Sequence, residues 1–251
     1  MNSFRSISRI SKSSVAGIEA LTNNKIGYST PILDTDISVA KDMFDVNVFA
    51  LIAVTQAFAP LLIAAKGTIV NIGSIAGKFQ TPWQGNYNAS KAAVNLLTDQ
   101  LRVELRPFDV KAINVITGAI KTKFFNNQPS VKISPGSLYY PAREEIEAIG
   151  QGSLVEKDGT DVDVYAEAVA ANALKKNPTM NQWTGSQSFL IWFAGAFLPH
   201  SFWVNFASNF IIFYSRLKDF ADIVQDLAIS LPGPFKMPLI TKKIKEADRL
   251  K

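Results

Sequence analysis

The sequence predicts an α/β fold in which parallel strands are joined by helical crossovers. Two runs rich in β-branched residues, Thr68–Ile72 and Val110–Thr117, alternate with long helical stretches. The runs are bounded by breakers, Gly67 and Gly73 around the first and Pro107 ahead of the second. The length of 251 residues suits one α/β domain with an appendage, and an apolar share of 47% excludes wholesale disorder.

Residues Met1–Ser14 hold six Ser, three bases and no acid, with Phe4, Ile7 and Ile10 at helical spacing. That composition suits an organelle transit peptide or a helix of the fold, and no apolar run there could act as a secretory signal. Val15–Thr22 alternates as a short strand, and Ser29–Asp36, with Pro31, reads as a loop. Asp36 caps a helix running to Lys66 with a kink at Pro60. After the strand Thr68–Ile72 comes a loop, Ser74–Gln84, and then a second long helix, Gly85–Arg106, stopped by Pro107. Val110–Thr117 is the next buried strand, followed by a long loop with Pro129, Pro135 and Pro141. Asp161–Lys176 reads as an amphipathic helix with Val164, Ala168, Ala171 and Leu174 as its apolar stripe.

Composition narrows the chemistry. The net charge is 26 − 21 = +5, with bases dispersed rather than gathered on one face, so no nucleic-acid partner is expected. The basic run Thr241–Lys251 has acids mixed in and reads as a solvated tail helix. There is no Cys and a single His, His200, so no metal site is expected and a Ser-His-Asp triad is disfavoured. Ser, Tyr, Lys, Asn and carboxylates remain.

Tyr87 and Lys91 stand one turn apart at the start of the second long helix, on one face. A nearby ammonium favours the phenolate and is expected to lower the Tyr87 pKa, making it a general acid/base near neutrality. Ser74, 13 residues earlier, lies just past a strand, where its hydroxyl can donate to a carbonyl oxygen. Asn47 lies a further 27 residues back, inside the first long helix. A second set at the same spacing, Ser201, Tyr214 and Lys218, lacks the strand and glycine context and has Leu174 at the Asn position.

Asn47, Ser74, Tyr87 and Lys91, in Phe44-Asp-Val-Asn-Val48, Asn71-Ile-Gly-Ser-Ile-Ala-Gly77 and Tyr87-Asn-Ala-Ser-Lys91, resemble the catalytic tetrad of the short-chain dehydrogenase/reductase family. Thr117-Gly-Ala-Ile-Lys-Thr122 resembles the family's Pro-Gly-x-x-x-Thr loop, with Thr117 where proline is usual. Within the family the chain is most similar to NADPH-dependent 1-acyldihydroxyacetone-phosphate reductases, a similarity extended by Ile26–Pro31, Val162–Ala166 and the aromatic C-terminal region. The resemblance implies that Tyr87 protonates the nascent alkoxide, Lys91 holds the nicotinamide ribose, Ser74 orients the carbonyl and Asn47 fixes a water in a proton relay. Ile120 and Thr122 would meet the nicotinamide amide and a phosphate, and Asn24 would border the cofactor. It implies a Rossmann-like, doubly wound parallel sheet over residues 1–176. A homodimer through the two long helices is also implied.

One part of the family pattern is missing. The Gly-rich turn that seats a pyrophosphate on a helix N-terminus has no counterpart. The first glycines are Gly17, Gly27 and Gly67, and the one Gly-x-Gly, Gly150 and Gly152, has Val155 at the third position. Val15–Thr22 resembles the family's third strand, while the first, second and fourth lack counterparts, so the expected sheet is truncated. Either a longer gene has been read short or the cofactor site has been lost, and a catalytically inactive remnant is then the alternative to an enzyme. A retinol- or steroid-type reductase is the other.

Residues 177–251 are expected to form an apolar helical extension with a basic tail. No Asp, Glu, Lys or Arg occurs in the 39 residues Asn177–Ser215, and Phe189, Phe193 and Phe197 recur at steps of four, as do Phe202, Phe206 and Phe210. Pro199 divides two halves, each shorter than the roughly 20 residues of a membrane crossing. An interfacial helix pair is expected, with Trp192, Trp203 and Tyr214 at the headgroup boundary and His200 as a polar hinge. That places the protein on the cytosolic face of the endoplasmic reticulum or on lipid droplets, taking a lipid ketone from the bilayer.

Overall fold

A computed structural model describes residues 15–17, 27–122, 124, 131–152, 159–199, 201–205 and 207–209. Asn24, His200, Phe206, Phe210, Tyr214, the segment 1–14 and the basic tail lie outside the described residues. The chain divides into two compact units, Met1–Trp203 and Val204–Lys251, and the first holds the sheet.

Four parallel strands stand in sequence order among the described residues: β1 (Val15–Gly17), β2 (Thr68–Ser74), β3 (Lys111–Thr117) and β4 (Asn181–Thr184). β1 pairs directly with β2, Val15 opposite Thr68, so Val15–Gly17 takes the place beside β2 where the sequence suggested a missing neighbour. β2 and β3 are buried along nearly their whole length, as strands covered on both faces must be.

Alternation along the strands sends side chains to two faces. Ile69 and Ala112 pack with Leu62 and Val110, flanked by Ile63, Leu101 and Leu105. Val70, Ile113 and Val115 pack with Ala173, flanked by Tyr165 and Val169. Helices α2 (Ala50–Ala65) and α3 (Gly85–Leu105) therefore cover one face and α5 (Val162–Ala173) the other. This is a Rossmann-like, doubly wound arrangement.

The first long helix begins as expected: the Asp36 carboxylate accepts from the Ser38 N–H at 2.8 Å and caps α1 (Ile37–Phe44). Its interruption is not at Pro60, which is exposed inside continuous α2. The break comes at Asp45–Phe49, wound as a π-turn that buries Asn47 and Val48. Lys66, in the left-handed region at φ 48°, ends α2.

Two expectations are corrected by packing. Of the expected stripe, Val164, Ala171 and Leu174 are exposed and Ala168 is half-buried; the sheet side is Tyr165, Val169 and Ala173. Asn172 sets this rotation: its amide donates to the Thr179 carbonyl at 2.9 Å and to Gln182 Oε1 at 3.1 Å, and accepts from the Thr179 N–H. A buried amide that finds every partner outweighs a slightly better apolar stripe. In addition, the long loop after β3 contains α4 (Arg143–Gly150), and the charge-free segment opens with β4 before α6 (Ser188–Phe197). Gly150 and Gly152 close α4, with Gly152 at φ 89°, and so form a helix terminus rather than a phosphate turn.

Arg102 of α3 fastens the far edge of the sheet. Its Nε donates to the Ala112 carbonyl at 2.8 Å, and its Nη2 donates to Asn181 Oδ1 at 2.8 Å and to the Met180 carbonyl.

Candidate active site

The carboxyl ends of β2, β3 and β4 open on one edge, where ligands of open α/β sheets bind. Ser74 is the last residue of β2, buried, with extended backbone (φ −155°, ψ 152°). Its Oγ accepts from the Ala76 N–H at 3.1 Å and caps a 3₁₀ turn, Ile75–Gly77, which fixes where the hydroxyl stands. Gly77 lets α3 close over this turn, since a Cβ there would lie 2.6 Å from the Lys91 backbone carbonyl.

Tyr87 is in the first turn of α3, half-buried, and Ser74 hydrogen-bonds its hydroxyl. Lys91, one turn on, donates to the Ile72 carbonyl at 3.2 Å, with Nζ 6.0 Å from the centre of the Tyr87 ring. Asn47 reaches the same helix from the π-turn: its Nδ2 donates to Ser90 Oγ at 3.0 Å, and Ser90 Oγ donates to the Tyr87 carbonyl at 2.8 Å. Ser90 thus joins Asn47 to Tyr87, Ser74 meets the Tyr87 hydroxyl, and Lys91 stands beside the same ring, so the four residues singled out in the sequence gather around Tyr87.

The electrostatic expectation for Tyr87 is reversed. Burial pushes its hydroxyl up to about 12, and the hydrogen bond from Ser74 only partly opposes it. The ammonium of Lys91 sits on a strand carbonyl, and desolvation of the phenolate wins. At neutral pH Tyr87 is a proton donor.

Beyond β3 the chain forms a ledge. Gly118 N–H donates to Thr184 at 2.8 Å and Ala119 N–H to Ser186 at 3.0 Å; Thr160 accepts from Lys121 and donates to Ala119. Ile120 lies at the centre of its parallel bridge with Thr160, and its own N–H and C=O enter none of these bonds, a donor and an acceptor side by side suited to a primary amide. Thr117, standing where proline was expected, is bound instead to Tyr165, hydroxyl to hydroxyl at 2.8 Å. Thr122 is exposed and its Oγ1 accepts from the Phe124 N–H at 3.3 Å.

An aromatic ring stands beside Tyr87 of which the tetrad spacing gave no sign: Phe124 lies 5.9 Å away between ring centres. Phe79, five residues past Ser74, meets Trp203 edge-on at 5.0 Å.

Residues 3–132 match the short chain dehydrogenase family. A short-chain dehydrogenase/reductase of Pestalotiopsis microspora is 38% identical over 192 residues, covering 75% of this chain and 66% of its own length. A short-chain dehydrogenase of Neurospora crassa is 36% identical over 206 residues, covering 82% and 70%. Among solved structures, a short chain dehydrogenase from Burkholderia cenocepacia in complex with NADP has a TM-score of 0.55 at 25% identity, covering 78% of this chain and 69% of that one. One from Streptomyces avermitilis, at 21% identity and a TM-score of 0.57, shares the fold. The chain spans about two thirds of the length of the curated relatives it matches, 66% and 64% for two of them.

Proposed function

As a member of the short-chain dehydrogenase/reductase family, this chain is, we propose, a nicotinamide-dependent oxidoreductase that reduces a ketone carrying a large apolar portion. The observation that carries this reading is the Tyr87 hydroxyl joined to Ser74 at a strand end, with Lys91 one turn away. NADPH is the proposed reductant, supported by the NADP in the Burkholderia cenocepacia relative. The proposed substrate is 1-acyldihydroxyacetone phosphate, giving 1-acylglycerol 3-phosphate. The Phe124 ring beside Tyr87 supports an apolar group near the reacting carbonyl, and the motif similarity to reductases of that substrate suggests the rest.

When bound, the nicotinamide supplies the hydride that reduces the carbonyl carbon. The residues present suit it on the ledge side: Ile120 would offer its N–H and C=O to the carboxamide, the exposed Thr122 would meet a phosphate, and Lys91 would hold the ribose. Asn24 lies outside the described residues. Ser74 has one hydroxyl proton, which in the structure serves Tyr87; on substrate binding it turns to the carbonyl oxygen and steadies the charge growing there. Tyr87 then delivers its proton to that oxygen, completing the alcohol. Asn47, through Ser90, holds the first turn of α3 against the π-turn while this happens; a water held by Asn47 would return the proton to Tyr87.

The test is to titrate the full chain with NADPH and NADH, following nicotinamide fluorescence, and then to measure ketone-dependent cofactor oxidation with the acylated phosphate ketone, a steroid ketone and retinal. Saturable binding of NADPH and fastest turnover of the acylated substrate are expected, with a loss of about 10²–10⁴-fold in Tyr87→Phe. Preference for the steroid or retinal moves the assignment to that substrate class, and a flat titration with both cofactors overturns catalysis by this chain.

We also propose that the protein works on a membrane or lipid-droplet surface. Helix α6 supports this: it spans 10 residues, and Phe189 and Phe197 are 71% and 70% exposed on it.

A further inference from the structure

Helix α3 meets the sheet through a buried polar seam where apolar packing would serve equally well for stability. Asn71 and Asn114 stand opposite each other across β2 and β3, and α3 lays Asn95 and Thr98 upon them, all four buried. Asn71 donates to Thr98 Oγ1 at 3.0 Å, Asn114 donates to Asn95 Oδ1 at 3.1 Å, and Asn95 Nδ2 donates to the Ser74 main-chain carbonyl at 3.3 Å. Of the three amides, only Asn95 uses both ends, since Oδ1 of Asn71 and of Asn114 takes no donor.

Asn95 lies one turn beyond Lys91 on the same face of α3. Lys91 holds the Ile72 carbonyl and Asn95 the Ser74 carbonyl, so two residues a turn apart grip alternate carbonyls along one edge of β2. Glycines make room for this grip. A Cβ on Gly73 would strike the side-chain oxygens of Asn95 and Asn114, and one on Gly77 would lie 2.5 Å from Asn95 Nδ2.

We propose that Asn95 is a positioning residue: its amide fixes the Ser74 peptide on α3, and so sets the Ser74 hydroxyl against Tyr87. This rests on the assignment of Ser74 and Tyr87 as the groups that meet the carbonyl. Asn95→Leu keeps the branching at Cγ, with bulkier ends, and removes both bonds, whereas Asn95→Asp retains an acceptor for Asn114 and loses the donor to Ser74. Each is made in the full chain, alone and together with Ser74→Ala. Thermal melts identify the folded variants.

Two measurements read the outcome. Carbon-13 resonances of labelled Tyr87, whose ring carbon beside the hydroxyl senses the bond from Ser74, are expected to move with Asn95→Asp in the direction that Ser74→Ala moves them. Turnover of ketone is expected to fall about tenfold in kcat, with KM for the cofactor little changed, and to fall no further when Asn95→Asp is added to Ser74→Ala. An unmoved Tyr87 resonance, or an equal loss in both backgrounds, overturns the proposal. If the wild-type chain turns over no ketone, the functional assignment fails, while the resonance still decides whether Asn95 sets the Ser74–Tyr87 pair.

Discussion

Tyr87 keeps its proton well past neutrality because burial outweighs the one hydrogen bond that favours the phenolate. Reduction needs that proton, so ketone turnover by the free chain is expected to stay level through neutral and mildly alkaline pH as far as this group governs it. Oxidation of the alcohol needs the phenolate and should climb with pH. Folding stability carries the same signature. The folded value near 12 lies above the ordinary value of about 10, so the contribution is complete below about 10 and is lost as pH rises towards 12. Melting temperature should therefore drop between about pH 10 and 12 in the wild type, and less steeply in Tyr87→Phe; equal slopes would contradict the burial of this hydroxyl. Spacing together with the strand and glycine context picked out Asn47, Ser74, Tyr87 and Lys91 over the equally spaced Ser201, Tyr214 and Lys218, because i, i+4 geometry and a strand end are local facts. The sign of the Tyr87 shift was not legible, since it depends on how much water the fold removes around the hydroxyl. Phe124 was equally hidden, being 37 residues beyond the ring it faces.

At the level of elements, boundaries marked by breakers or caps were legible. Asp36, Gly67 and Pro107 each act on neighbours within a turn, and the ends of α1, β2 and α3 follow them closely. The rotation of α5 was not, because it is decided by Asn172 and its partners on the connection to β4. β4 itself was read as part of an apolar helix: four residues with Asn181 and Gln182 among them carry no strand signal of their own, and pairing with β3 makes them one. Close approach between elements is the more demanding constraint. Gly77→Ala places a methyl against the Lys91 backbone, which cannot yield as a side chain would, and is expected to cost about 1–3 kcal/mol in urea unfolding. A loss of turnover larger than the stability loss explains is expected too, because α3 carries Tyr87 and Lys91 away from Ser74 as it lifts.

For the molecule as a whole, the α/β class followed from alternation of strand and helix, and the two-faced core of Ile69 and Ala112 against Val70 and Ile113 follows from strand periodicity. The strand order did not follow, because β1 joining β2 is a long-range pairing that no window of sequence contains. The proposed surface attachment is a property at this scale, resting on aromatic side chains that the sheet leaves uncovered. Flotation with phosphatidylcholine vesicles is expected to carry the wild type upward and to leave Phe189→Ser/Phe193→Ser/Phe197→Ser in the dense fraction; equal partitioning of the two would remove α6 from any role in attachment.

The arginine of α3 gives the sheet a temporal order. Its guanidinium is made 78 residues before the Met180 carbonyl it finally clasps, so a growing chain passes through a long interval in which the outermost strand has not yet been synthesised and only Asp99 and the Ala112 carbonyl are at hand. When Asn181 arrives, the same cation ties the rim to the helix. The ledge of Gly118–Ile120 leans on that same rim through Thr184 and Ser186, so its backbone bonds wait on residues made more than sixty positions later.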